Sequence, residues 1–422
     1  LRIAKDRRGQ ALLVASVAMP MLIGFAGLGT DTVSWFVWKR QLQSAADAGA
    51  LAGAYVLAFN GSQEQADQAV AADLARNGFD GAAWGAPQIN VPPLSGAFAG
   101  DPTAFEVVLA RPGVLPFSSF FLDGPVTIAA RAVARRVANG ESCLLALDEA
   151  RDRTMEFTGS ALVTMGCGIA ANSSSNEAVY IGGSAQLEAT PVSSVGGISI
   201  GNSAVLTSNA PLRPLAPPQQ DPYENLTPPA SPAACTGSPK RLSVKDAQVL
   251  LPGRYCGGMT FNAGANATFL PGTYIIDGGD FRTSGGASLT GAGVTFVLTG
   301  SGSNYATLNI GGGTKLNLSA PTVSSGSPYA GLLIFQDRNA PTTQGNTLIK
   351  NKLLGGADMK LEGAIYFPAQ ALEFTGGASG NTDCLQVVAK AVSFSGNAFM
   401  GNSCDADSGV NKIDQTLVLL VE

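Results

Sequence analysis

LPGRYCGGMTF, residues Leu251 to Phe261, is followed almost at once by LPGTYIIDGGDF, residues Leu270 to Phe281. A Leu-Pro-Gly corner, a tyrosine two places on, a glycine pair and a closing phenylalanine come twice in quick succession, which chance does not readily supply. Working outward, the same unit of one aromatic or aliphatic residue, small residues and an outward-polar strand recurs at Phe157, Ile181, Ile200, Phe261, Phe281, Ile310, Phe374 and Phe394. Several neighbours stand 19, 20 or 24 residues apart. A period near twenty, with one apolar side chain turned inward and Gly, Asn or Ser at the corners, predicts a large parallel, right-handed β-helix or solenoid over residues 138–422. Such a coil buries no core in a single turn and needs both ends covered. A small α+β module is expected at one end and the strand Gln415 to Val421 near the other.

Composition agrees with a mainly β chain. Among 422 residues there are 52 Gly, 24 Pro and no His, as expected where many short strands are joined by tight turns. The missing histidine removes the commonest general base, metal ligand and partner of a Ser or Cys nucleophile, which disfavours most hydrolase mechanisms. With 14% charged residues and a net charge of −5, the chain has no basic field for a phosphate backbone, so no nucleic acid is expected as partner.

Six cysteines fall into three sequence-local pairs, Cys143 with Cys167, Cys235 with Cys256, and Cys384 with Cys404. Fifteen pairings are possible in principle. Because each gap matches about one turn of a coiled β architecture, each pair can join adjacent turns as a structural disulfide, which suits an oxidising compartment; buried free thiols are the alternative. No CxxC spacing suggests a metal site, and no cofactor is expected. Between early and late repeats, residues 210–234 hold eight prolines and read as an excursion or linker. An extended loop laid on the body is favoured over polyproline docking of a partner.

At the other end of the chain, ALLVASVAMPMLIGFAGLG from Ala11 to Gly29 carries no charge, and its 19 residues span about 28 Å as helix, close to the hydrocarbon thickness of a bilayer. Arg2, Lys5, Arg7 and Arg8 precede it and Asp31, Trp35, Phe36 and Trp38 follow, which predicts a single pass with the N-terminus cytoplasmic. A cleaved signal peptide is the competing reading. The expected organisation is a basic tail over 1–10, a transmembrane helix over 11–38, a helical extension and α+β module over 39–137, and the β-helix over 138–422. Gly24 and Gly27 in the span, and Ala45, Gly49 and Gly53 on the extension Lys39 to Ala58, are candidates for helix packing. Gly24 and Gly27 point to a helical partner in the bilayer, whereas Ala45, Gly49 and Gly53 would serve either close approach of a partner or packing on the chain's own next domain. A second helix is expected from Ser62, which opens a capping box with Gln65, to Asn77 before Gly78. Period-two strands follow at Phe105, Val107, Leu109 and at Val126, Ile128, Ala130.

The stretch RRGQALLVASVAMPMLIGFAGLGTDTVSWFVWKRQLQSAADAGALAGA resembles the helix-bearing start of TadG-like proteins associated with Flp (tight-adherence) pilus assembly. Arg8-Gly9, Asp31 and the run Leu42-Gln43-x-Ala45-Ala46-Asp47-Ala48 carry the similarity. Val107 to Val137 resembles the strand that closes the same module, and CLLALDEA, YAGLLIFQDRNAP and GAIYFPAQ resemble the β-rich region of longer members. The resemblance implies an envelope protein of the inner membrane of a Gram-negative bacterium. One departure is plain: a processed pilin would carry an acidic residue inside the hydrophobic stretch, and none occurs between Asp6 and Asp31.

β-Helices also house glycan-cleaving enzymes, which need grouped carboxylates. Asp277 with Asp280, Asp405 with Asp407, and Arg338 beside Asp337 are the places to look, though each sits where a turn or an ion pair would use it. The expected function is a non-enzymatic, membrane-anchored structural or assembly component whose solenoid is a spacer or docking surface. Its expected partners are membrane lipid, other membrane-embedded subunits, and a homo-oligomer or larger envelope complex. An adhesin or glycan-binding module, and behind it a polysaccharide-degrading enzyme, are the alternatives. The first would show a row of exposed aromatics, the second two or more carboxylates in a groove.

Overall fold

Short stretches of β-branched and small residues broken by glycine give many brief strands, and one uninterrupted apolar, alanine-rich stretch gives a long helix. In the computed structural model 42% of residues are in strands and 19% are helical, so the chain is mainly β with an N-terminal apolar helix. The structure describes residues 7–59, 61–121, 124–229, 234–236, 240–354, 359–376, 384–401 and 403–422. Arg2 and Lys5 of the basic tail lie outside the described residues, as do residues 230–233 of the proline-rich excursion. The chain divides into two units, Leu1–Ala138 with Thr416–Glu422, and Asn139–Gln415.

The first unit opens with α1 (Arg7–Ala58), 52 residues with Pro20 inside it. Helix α2 (Gln63–Arg76) starts at Ser62, whose hydroxyl accepts from Gln65 N–H while the Gln65 side chain accepts from Ser62 N–H, the reciprocal cap read from the sequence. Strands β1 (Gln88–Asn90), β2 (Ala104–Gly113) and β3 (Val126–Ala146) form an antiparallel run, with Phe105 opposite Ala134 and Leu109 opposite Ala130. The last residues also belong here. Val133 N–H donates to Glu422 O, and Val421 N–H donates back to Val133 O. The expectation that the final strand sits apart from the α+β module is thereby corrected.

Within the second unit most strands pair in parallel, the exceptions among the described residues being the short antiparallel pairs of Gly300 and Ser301 with Asn304–Tyr305 and of Thr343–Gln344 with Thr347–Leu348. One ladder places Val244, Phe261, Thr283, Ile310, Leu353, Phe374, Phe394, Phe157, Ile181 and Ile200 at successive equivalent positions. Their side chains stack like with like: the Phe394 ring lies 4.6 Å from Phe374 and 5.2 Å from Phe157, nearly parallel to both. Seven of the eight repeat positions read from sequence fall on this line. Phe281 does not, because it pairs with Met259 and leaves Thr283 opposite Phe261. The buried Thr283 hydroxyl is satisfied by Thr314 at 2.7 Å. The duplicated corner has a local cause as well. In each copy the tyrosine hydroxyl donates to the carbonyl of the leucine four residues earlier, Tyr255 to Leu251 and Tyr274 to Leu270, which closes the Leu-Pro-Gly turn.

Chain order and ladder order differ. Strands from 242 to 394 follow one another, and the earlier strands at 155–157, 179–181 and 198–200 are added after 394. The proline-rich excursion makes the return journey. A second ladder carries an outward row of Ile275, Val297, Phe335, Tyr366, Val388, Leu145, Ala170 and Ser193. The excursion meets this ladder in reverse: Arg213 bridges Ser193, Gln219 bonds Asn172, Tyr223 donates to Gln386 at 2.6 Å, Tyr329 donates to Thr227 O, and Thr236 N–H reaches Arg254 O. It is a strap over apolar side chains, so its prolines withhold no ladder donor that is needed.

Disulfides join Cys143 to Cys167, Cys235 to Cys256 and Cys384 to Cys404, with Cα–Cα distances of 5.7, 5.8 and 4.6 Å. The second ties the end of the strap to the strand Gly253–Cys256.

Asp221 is the polar pin of the strap: its carboxylate accepts from Arg338 at 2.9 Å and from the Tyr366 hydroxyl at 2.8 Å, while Tyr223 beside it is 2% exposed. Burial pushes the Tyr223 and Tyr366 hydroxyls far above the ordinary tyrosine range, so both remain donors. Tyr223→Ala is expected to destabilise this unit by about 3–5 kcal/mol, the usual loss for a buried aromatic, and to open residues 210–229 to protease. Denaturant midpoints and the site of first cleavage in the full chain check this; an unchanged midpoint with an uncut strap contradicts it.

Candidate functional site

Along the first half of α1 the large apolar side chains point outward. Leu12, Leu22, Phe25 and Phe36 are between 59 and 76% exposed, and no charge occurs between Arg8 and Asp31. An apolar surface of this extent has no stable place in water and matches the length of a bilayer core.

From Leu42 onward the same helix turns an inner face to its own unit. Leu42, Ala45, Ala46, Ala50 and Ala54 are at most 3% exposed, packed with Val70 and Leu74 of α2 and Phe105, Val107 and Leu109 of β2. A Cβ on Gly53 would come within 2.2 Å of the Phe105 ring, and one on Gly49 within 3.3 Å of Leu74. A side chain at Gly53 would hold the helix off the sheet, and one at Gly49 would crowd α2. Gln43 spends both amide hydrogens at this contact, one on Arg131 O at 2.9 Å and one on Asp47 at 2.7 Å, while Lys39 donates to Ala129 O. The run Leu42-Gln43-x-Ala45-Ala46-Asp47 is thus a helix-to-sheet docking motif.

Of the five helix-packing candidates, Ala45, Gly49 and Gly53 face the chain's own α+β module. Gly27 also packs internally, against the Phe117 ring at 2.3 Å from where its Cβ would be. Gly24 has nothing within 4 Å.

Two charged centres brace the site. Glu106, 1% exposed, accepts from Asn90 at 2.6 Å, Leu94 N–H at 3.2 Å and Arg131 Nε at 2.5 Å. Burial alone would raise its carboxyl, but these donors outweigh it and hold it below the usual range. Arg131 also pairs with Glu422. The Arg111 guanidinium lies between the Trp38 and Trp84 rings, 4.8 and 4.4 Å from their centroids, which ties helix, strand and the Phe79–Trp84 corner together. Neither Glu106 nor the Arg111 sandwich carried a sequence signal, since each depends on residues far apart in the chain.

Residues weighed for glycan chemistry stand elsewhere, in the second unit, and are separately engaged. Asp277 pairs with Arg254 at 2.5 Å, Asp280 accepts from Thr307, Asp407 accepts from Ser324, and Arg338 pairs with Asp221. Asp405 precedes a single turn of 3-10 helix, Ala406–Ser408, that contains Asp407.

Residues 9–56, most of α1, match the model of the family described as "Putative Flp pilus-assembly TadE/G-like". The N-terminal segment is therefore TadE/G-like, and its resemblance to TadG-like proteins is shown. No curated protein and no solved structure matched the chain.

Gly53→Leu is expected to unseat α1 from β2, with a loss of at least about 1–3 kcal/mol from overpacking. Glu106 contributes stability that is present above the ordinary glutamate pKa of about 4.3 and fades as pH falls through its lower folded value. Glu106→Gln should therefore flatten the acid limb of the stability profile below about pH 4.3. Thermal unfolding of the full chain in detergent across that range checks both; a Gln variant with the parent's acid limb contradicts the assignment.

Proposed function

We propose that this chain is a non-enzymatic, membrane-anchored envelope protein, a structural or assembly component related to Flp-type pilus or surface assembly. It passes once through the bacterial inner membrane, N-terminus cytoplasmic, with its bulk periplasmic or extracellular. The parallel ladders of the second unit are read as a right-handed β-helix serving as extracytoplasmic spacer or docking surface.

The observation that carries this reading is α1, a single helix whose first half is apolar and outward-facing and whose second half is built into a folded unit. The match of residues 9–56 to the TadE/G-like family supports the link to pilus assembly. Pairing of all six cysteines supports an oxidising compartment. The two ladders of parallel strands described above, and a third through Ala247–Leu250, Asn266–Phe269 and Ser288–Gly291, support the β-helix. Tyr255 and Tyr274 are buried with their hydroxyls on backbone carbonyls, which favours a spacer over a glycan-binding face built on those rings. Gly24 is the place left for a neighbouring helix in the bilayer.

Alkaline phosphatase joined after Glu422 is expected to be active, and the chain taken from native membranes into denaturant without reductant should show no titratable thiol. Recovered in mild detergent at native abundance, it should bring other envelope subunits with it. A chain that comes out alone and monomeric contradicts the assembly role, and a silent reporter contradicts the orientation.

A further inference from the structure

The geometry points to a second membrane contact: the segment Val114 to Phe121 is a phenylalanine-tipped loop immersed in the same bilayer leaflet as the outer end of α1, with lipid acyl chains as its partner. This rests on the reading of α1 as a membrane span.

The loop leaves β2 at Gly113, where a Cβ would overlap the Trp38 ring, and reaches α1 again at Phe117, whose ring covers Gly27. Trp38 and Gly27 are separated by about 16 Å of helix axis, so the loop runs down the helix toward its apolar half. Asp31 fixes it there. That carboxylate is 3% exposed and accepts from Phe117 N–H at 2.8 Å, Ser118 N–H at 2.5 Å and the Ser118 hydroxyl at 2.5 Å. A carboxylate on a helix at this depth is costly unless it is fully bonded, and here the loop supplies the donors.

Two further features fit lipid rather than water. Phe120 and Phe121 are 81 and 75% exposed, Val114 is 62% exposed, and residues 112–121 carry no charge. Together with Leu28, 54% exposed one residue beyond Gly27, they prolong the outward apolar surface of α1 instead of forming a separate patch. From Phe117 to Phe121 every backbone N–H of the loop is also taken. Phe117 and Ser118 give their N–H groups to Asp31, Ser119 to Leu115 O, Phe120 to Phe117 O and Phe121 to Ser118 O, while Pro116 has none to give. Non-helical backbone enters a bilayer only when its polar groups are satisfied in this way. Exposed phenylalanines on a turn whose donors from Phe117 to Phe121 are bonded, continuous with a lipid-facing helix, therefore set how deep the first unit rides in the membrane.

The test places the photoreactive residue benzoylphenylalanine at Phe120, and separately at Phe25 on the span and at Leu94, another exposed apolar residue, in the full chain in native membranes. Irradiation followed by intact mass is expected to give lipid adducts at Phe120 as readily as at Phe25 and not at Leu94. Adducts at Phe25 with none at Phe120, equal adducts at Leu94, or a protein cross-link at Phe120 would overturn the loop while leaving the span standing. Absence of lipid at both Phe25 and Phe120 overturns the span and the loop with it.

Discussion

Gly53 leaves no room between α1 and the Phe105 ring, and that contact decides what the N-terminal helix can be. Around it Ala45, Ala46, Gly49, Ala50 and Ala54 present little more than methyl groups, so α2 and β2 close directly on the helix backbone. The helix thereby gains a buried partner for its second half while its first half keeps an outward apolar surface. One secondary-structure element answers to two solvents. A flexible joint between them would let the folded unit swing free of the span; a continuous helix sets its height and orientation. Gln43, Lys39 and the Arg111 sandwich then act on a helix that is already docked, and each adds a directional bond to a contact that dispersion and close packing make.

Much of this was legible because small residues at helical spacing permit close approach. Their partner was not legible: the same Ala-Gly face fits a neighbouring transmembrane helix or a β-sheet, and only β2 and α2 in place decide it. Asp31 is a similar case. The sequence shows an acid just beyond the apolar run, and an interfacial charge is the natural reading; its donors come from Phe117 and Ser118, more than eighty residues away, and turn it into a clip for a loop.

For the larger unit, aromatic and aliphatic repeats revealed the ladder because like side chains stack on like. Register was less visible: Phe281 lies in an obvious repeat yet pairs with Met259, since the Thr283–Thr314 hydrogen bond lets a polar residue take the inward place. The order of strands was invisible, because a repeat says that units resemble one another and not which lies beside which. Proline content marked residues 210–234 as an excursion, and in its described part only the isolated bridge of Arg213 with Ser193 pairs with the ladder. It gave no sign that Tyr223 is buried or that Asp221 gathers Arg338 and Tyr366, and so the strap joining the two ends of the ladder emerged only from the fold.

A single helix continuous from bilayer to folded unit is the claim from which the rest follows, and hydrogen exchange measures it most directly. In the full chain held in lipid bilayers, amides from Leu12 to Ala58 are expected to exchange slowly without interruption, residues 28–41 included, since every one is in the α-helical ladder. Rapid exchange confined to residues 28–41, with slow exchange on both sides, would show two helices joined by a hinge and contradict the account.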